Sequence, residues 1–132
     1  MSYQNPVRHI TVDAHDAYAQ AVFWSQLTGY ALEDGARPGA ETVAIESPEP
    51  AVPGLLFIEV PEGKTVKNRV HLDIRPTTGT RDAEVERLVG LGARVVDDRR
   101  TGEGKGWVVL TDPEGNEFCV ERGVSELGPD ES

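Results

Sequence analysis

The sequence predicts an α+β fold of two tandem β-α-β-β-β modules, forming a curved mixed sheet around a cavity with helices on the outer face. Three observations carry this expectation. His9-Ile10-Thr11-Val12 recurs as His71-Leu72-Asp73-Ile74, each after an arginine-containing lead-in. Each strand pattern runs into a capped amphipathic helix pattern, closed by Gly29 in the first half and Gly92 in the second. Each helix pattern is followed by about three strand signals. A repeat of this size sets the architecture, because one helix cannot cover both faces of a sheet.

The elements follow in order. Val7 to Asp13 alternates, with Ile10, Val12 and Ala14 on one face and His9, Thr11 and Asp13 on the other. Asp16 can cap a helix from Ala17, with Ala19, Phe23 and Leu27 as its stripe and Trp24 widening it. Phe23 and Trp24 read as core. Short strands are expected near Tyr30 to Glu33 and Thr42 to Glu46. Proline-rich Ser47 to Pro53 is a loop, and Leu55 to Val60 is a strand ended by Pro61. After a polar linker to Asn68, Arg69 to Arg75 is the next strand. Thr80 caps a helix with Val85, Leu88 and Val89 inward. Strands at Ala93 to Val96 and Gly106 to Leu110 flank the charged loop Asp97 to Lys105. Asp112-Pro113-Glu114-Gly115-Asn116 is a tight turn before the last strand, Glu117 to Glu121. Residues 1–125 are expected as one domain, with modules at about 7–60 and 69–121. Residues 126–132 are expected as a flexible acidic tail.

Composition narrows the function. The chain has 132 residues, 13 basic and 23 acidic, for a formal net charge of −10. That charge repels phosphate backbones and anionic headgroups, so neither nucleic acid nor membrane is an expected partner. No stretch is long and apolar enough for a membrane span, and polar Met1 to Pro6 carries no leader core. One cysteine, Cys119, excludes an internal disulfide and fits a cytoplasmic location. Gly102-Glu103-Gly104-Lys105-Gly106 lacks the spacing of a phosphate loop and precedes a strand. His15, at a strand-to-helix corner, reads as solvated.

Four stretches together resemble the vicinal-oxygen-chelate superfamily, which includes glyoxalases, bleomycin-resistance proteins and extradiol dioxygenases. They are Val7-Arg8-His9-Ile10-Thr11-Val12, Phe23 to Tyr30 with its Leu-Thr-Gly-Tyr end, Arg69-Val70-His71-Leu72-Asp73, and Asp112 to Phe118. The resemblance covers residues 7–121 and is nearest to glyoxalase-like single-domain proteins, for which it implies no common substrate. In metal-using members the ligands stand on the first and last strand of each module. Carried over, these are His9, Glu59, His71 and Cys119. Cys119 departs from the glutamate usual there.

Two imidazoles and a carboxylate with open positions suit a divalent ion acting as a Lewis acid. Zinc, nickel, manganese or iron would serve, and a Cys119 thiolate would favour zinc. Glu59 or Glu121 would move protons. Asp73 and Trp107 are candidate substrate contacts, Trp107 by stacking on a planar ligand, although core packing suits it as well. Strand histidines are more often polar neighbours than ligands, and a single strand cysteine is more often a small buried hydrophobe. Two functions follow, beside a blander ligand-free regulatory or interaction domain. One is metal-assisted lyase, isomerase or dioxygenase chemistry on a small molecule. The other is a metal-free cavity that binds or sequesters one, as resistance proteins do. The resemblance also implies a homodimer.

Overall fold

Both repeats fold as β-α-β-β-β in the computed structural model, which describes residues 4–131. The chain divides between Gly63 and Lys64 into two modules, each with its own four-stranded mixed sheet.

In the first module, β1 (His9–Ala14) leads into α1 (Ala17–Thr28), followed by β2 (Ala31–Leu32), β3 (Thr42–Glu46) and β4 (Gly54–Glu59). The sheet order is β1-β4-β3-β2. β4 lies parallel to β1, and the other neighbours are antiparallel. Asp16 caps α1 by accepting from the Ala19 amide at 3.0 Å. Gly29 ends it in the left-handed conformation, φ 81°, with its amide on the Ser25 carbonyl.

The buried face of α1 differs from the expected stripe. Ala19 is exposed, and Ala17, Gln20, Ala21, Phe23, Trp24 and Leu27 are buried. At about 100° per residue Ala19 lies roughly 140° around from Trp24. The large rings orient the helix, and the small Ala19 methyl has no weight against them. Phe23 and Trp24 meet edge to face with centroids 5.7 Å apart. The helix packs on β3 and β4, where Val43, Ile45, Leu55 and Phe57 are all buried.

In the second module, β5 (Leu72–Ile74) leads into α2 (Arg81–Leu91), then β6 (Arg94–Asp98), β7 (Val108–Thr111) and β8 (Glu117–Val120). The order β5-β8-β7-β6 repeats the first sheet, again with the first and last strands parallel. Val85, Leu88, Val108, Leu110, Phe118 and Val120 form its core. Thr80 caps α2 through the Ala83 amide. Val89 does not join this core. It is 46% exposed, and buried Arg81 occupies the inner face of the first turn instead.

β5 is shorter than the expected Arg69 to Arg75. The Glu117 carboxylate accepts the Asn68 amide at 2.9 Å and pairs with Lys64, drawing the lead-in out of the ladder. His71 therefore precedes the strand. The Asp112 carboxylate, almost fully buried, ties the tight turn by accepting from the Glu114 and Asn116 amides. Beyond β8 a 3₁₀ turn, Val124–Glu126, folds back, and Glu126 accepts from the Arg81 and Gly123 amides. Arg122 pairs with Glu131. Of the expected flexible tail, Ser132 lies outside the described residues, as does Met1 to Tyr3 of the polar start.

A close approach inside the first sheet yields a stability prediction. A Cβ on Gly54 would sit 2.5 Å from the Ile45 carbonyl oxygen and 3.0 Å from the Glu46 carboxylate. Gly54→Ala is expected to lower stability by about 1–3 kcal/mol through this overlap. An unchanged urea midpoint would contradict the packing.

Candidate functional site

On β1, side chains alternate between the core and the open face. The register sets His9 opposite Gly54 on β4, beside Glu46 at the end of β3. Gly54 has no side chain, so His9 and Glu46 meet across it. The His9 Nε2 donates to Glu46 Oε1 at 2.6 Å, and Arg8 Nη1 reaches Oε2 at 3.2 Å. These bonds, the His9 one foremost, hold the Glu46 carboxyl below its ordinary range. Glu46 had no signal of its own in the sequence, because only the strand register reveals its partner.

The second module carries a cavity of about 500 Å³ on the open face of its sheet. Asp73 comes from β5 and Cys119 from β8, directly opposite it in register. Arg75, Glu121 and Arg122 continue just past those strands, and Gly106 and Trp107 form the wall ahead of β7. Four of the residues singled out in the sequence thus line one cavity: Asp73, Trp107, Cys119 and Glu121. Trp107 is 46% exposed, so it is a wall of the cavity and not core.

The polar groups in this cavity are unevenly engaged. Arg75 Nη2 donates to Glu121 Oε1 at 2.7 Å. Arg75 Nε is buried without a hydrogen-bond partner. The Cys119 thiol is buried, and its pKa is raised by burial first, then by the Asp73 carboxylate, with which it forms a hydrogen bond, and by the charge of Glu121. It therefore stands as a thiol at neutral pH.

Arg81, buried to 4% exposure, anchors the wall that carries Trp107. Its Nη1 donates to the Lys105 and Gly106 carbonyls at 2.8 and 3.1 Å. Its Nε donates to Asp82, and Arg100 joins the same carboxylate. Gly106, φ 87°, lies so close to the Arg99 carbonyl that no side chain fits there. Sequence reading passed over Arg81, since an arginine at the start of a helix resembles any solvated charge.

The residues carried over as metal ligands do not fit an ion within either module. His9 opposes Gly54, while Glu59 opposes Ala14 at the other end of the same ladder. Five residues of strand put them about 16 Å apart at Cα, beyond the reach of two side chains to one ion. Glu59 is also exposed. In the second module the partner of Cys119 is Asp73, and His71 stands two residues earlier. His71 is exposed, and its Nε2 donates to the Asn68 carbonyl at 2.8 Å. Within neither module do three His, Cys, Asp or Glu side chains of the described residues group as a metal requires. None of the described helices is long and apolar enough to cross a membrane.

Comparison with known proteins agrees with this architecture. The sequence profile of the glyoxalase-like domain matches residues 9–121. The chain belongs to that family, within the vicinal-oxygen-chelate superfamily. Among solved structures it is similar to a glyoxalase-related enzyme from Fulvimarina pelagi, with TM-score 0.64, 20% identity, and coverage of 98% of this chain and 96% of that one. A glyoxalase/bleomycin resistance protein/dioxygenase family enzyme from Burkholderia phytofirmans gives TM-score 0.62 at 19% identity over 88% and 96% of the chains. A lactoylglutathione lyase from Agrobacterium tumefaciens gives 0.58 at 17% identity over 92% and 96%. At these identities the likeness is one of fold. No curated protein matches the chain by sequence.

Two predictions follow from the electrostatics. Glu46 titrates lower folded than at its ordinary 4.5, so its contribution is present above about pH 4.5 and lost as pH falls through the lower folded value. The contribution is small because the Glu46 side chain is 43% exposed. The urea-midpoint gap between wild type and Glu46→Gln is expected to close below pH 4.5. A gap that stays constant down to pH 3 contradicts the pairing. Asp73→Asn removes the negative charge beside Cys119, and iodoacetamide alkylation at pH 8 is expected to accelerate roughly threefold. An unchanged rate would mean that burial alone protects the thiol.

Proposed function

We propose that this protein is a small-molecule-binding member of the glyoxalase-like family whose ligand occupies the second-module cavity. One observation carries the reading. Two neighbouring parallel strands and one anchored wall bring two guanidinium groups, two carboxylates, a thiol and an exposed indole around about 500 Å³, a volume suited to a small organic ligand. The work assigned to the chain's own residues is binding and orientation. Arg75 and Asp73 hold the polar ends of the ligand, and Trp107 holds its plane.

Metal-assisted lyase, isomerase or dioxygenase chemistry, with zinc, nickel, manganese or iron, is the other function the resemblance implies. The separation of His9 from Glu59 and the engagement of His71 favour the metal-free reading over it. The same reading takes the protein as a cytoplasmic homodimer without nucleic-acid or membrane partners. Its net charge of −10 supports the latter, and sedimentation checks the former.

The test has two parts. Ligand-observed NMR against a fragment library of mixed charge is expected to find binders to wild type that Trp107→Leu loses. Binding that is indifferent to Trp107→Leu, or no binder at all, overturns the cavity as the site. Elemental analysis of protein purified without chelator is expected to find no stoichiometric metal. Near-stoichiometric metal in wild type, lost in a His9→Ala, His71→Ala double variant, overturns the metal-free reading.

A further inference from the structure

We infer that the ligand of this cavity is a planar aromatic acid carrying a hydrogen-bond donor across the ring from its carboxylate. The inference rests on the cavity reading and adds the ligand class. It follows from which polar groups in the cavity are already engaged.

The lining holds two cations and two anions, so its charge balances and does not itself choose a ligand. The partners decide. Arg122 is already engaged by the Glu131 carboxylate and the Glu126 carbonyl. Glu121 is neutralised by Arg75 Nη2. What remains open is the rest of the Arg75 guanidinium, with its buried, unpartnered Nε, and the carboxylate of Asp73, which among cavity groups interacts with the Cys119 thiol. A buried donor without an acceptor is costly, and an oxyanion from a ligand would relieve it with a charge-assisted bond. Arginine's fork suits a carboxylate better than a single oxygen. Asp73 in turn accepts, so the ligand must offer a hydroxyl or amino hydrogen there.

Spacing adds a constraint. Asp73 lies on β5 and Arg75 one residue past its end, about 6.6 Å apart at Cα, and both line the cavity. A ligand whose carboxylate and donor stand a comparable distance apart, as in the para relation across a six-membered ring, can answer both. The exposed Trp107 indole supplies a face for that ring, a contact worth about 0.5–1.5 kcal/mol beyond simple burial. Arg81 fixes the backbone just ahead of that indole through the Lys105 and Gly106 carbonyls. The cavity volume admits further rings beyond the first.

The competing classes are separable. A cationic amine would use Asp73 and leave Arg75 Nε unanswered. A neutral planar molecule would use Trp107 alone. The experiment titrates 15N-labelled full-length protein with 4-hydroxybenzoate and follows the Trp107 indole N–H, assigned by its absence in Trp107→Leu. Benzoate, 4-hydroxybenzamide, cyclohexanecarboxylate and tyramine are run beside it.

The expected result is a saturable shift with 4-hydroxybenzoate, weakened about tenfold or more in 4-hydroxybenzamide and in Arg75→Gln. Asp73→Asn should weaken 4-hydroxybenzoate and leave benzoate unchanged, a difference that misfolding cannot imitate. Cyclohexanecarboxylate should bind more weakly than benzoate. If the benzamide or tyramine binds as well as the acid, the ligand class is overturned while the cavity stands. The same holds if 4-hydroxybenzoate fails and other library members shift Trp107. If no molecule of any charge shifts Trp107, the cavity reading falls with it.

Discussion

The parallel pairing of first and last strand governs each module. Parallel neighbours cannot be joined by a hairpin, so the chain must leave along a helix and return through two antiparallel strands before closing beside its start. That route makes residues nearly fifty positions apart into direct neighbours, as with Asp73 and Cys119. It also makes His9 and Gly54 neighbours, and the missing Gly54 side chain lets Glu46 reach the imidazole from the next strand over. The His9–Glu46 pair and the Asp73–Cys119 pair both depend on this closure.

The walls of the second-module cavity are held by a different device. A guanidinium buried as deeply as that of Arg81 is unfavourable unless its donors are satisfied. Its bonds to Asp82 and to the Lys105 and Gly106 carbonyls satisfy them. The same bonds fix the backbone just ahead of Trp107. The segment after β8 strengthens the arrangement, because Glu126 takes up amides at the start of α2 and at Gly123. The half-exposed indole thus stands on a braced loop.

Charge acts on two length scales here. A net charge of −10 sets a field that repels anions at a distance. That field is screened over about 8–10 Å in physiological salt. Inside the cavity short-range geometry acts beside that field, with Arg75 Nε buried and unmatched. Recognition by such a site is decided by hydrogen-bond direction more than by overall charge. The Cys119 thiol fits the same picture, since burial and its neighbouring carboxylates keep it protonated and leave it a packing and hydrogen-bonding group.

Sequence alone determined the architecture of the modules. The repeated histidine strands, the caps Asp16 and Thr80 and the terminators Gly29 and Gly92 are local signals, and local backbone physics reads them the same way in any context. Alternation on the strands also placed Asp73, Cys119 and Glu121 on one polar side. Trp107 was legible only as a choice between core and cavity. Strand register lay beyond the sequence, because pairing is chosen by contacts between distant segments. A ladder carries no local mark of which residue opposes which. Hence Glu59 read as a companion of His9 and stands at the far end of its ladder, while Glu46, which gave no signal, is the true neighbour. Tertiary structure also decided the roles of Arg75 and Arg81, because a charged side chain acquires meaning only from burial and partners, and those are properties of the folded chain.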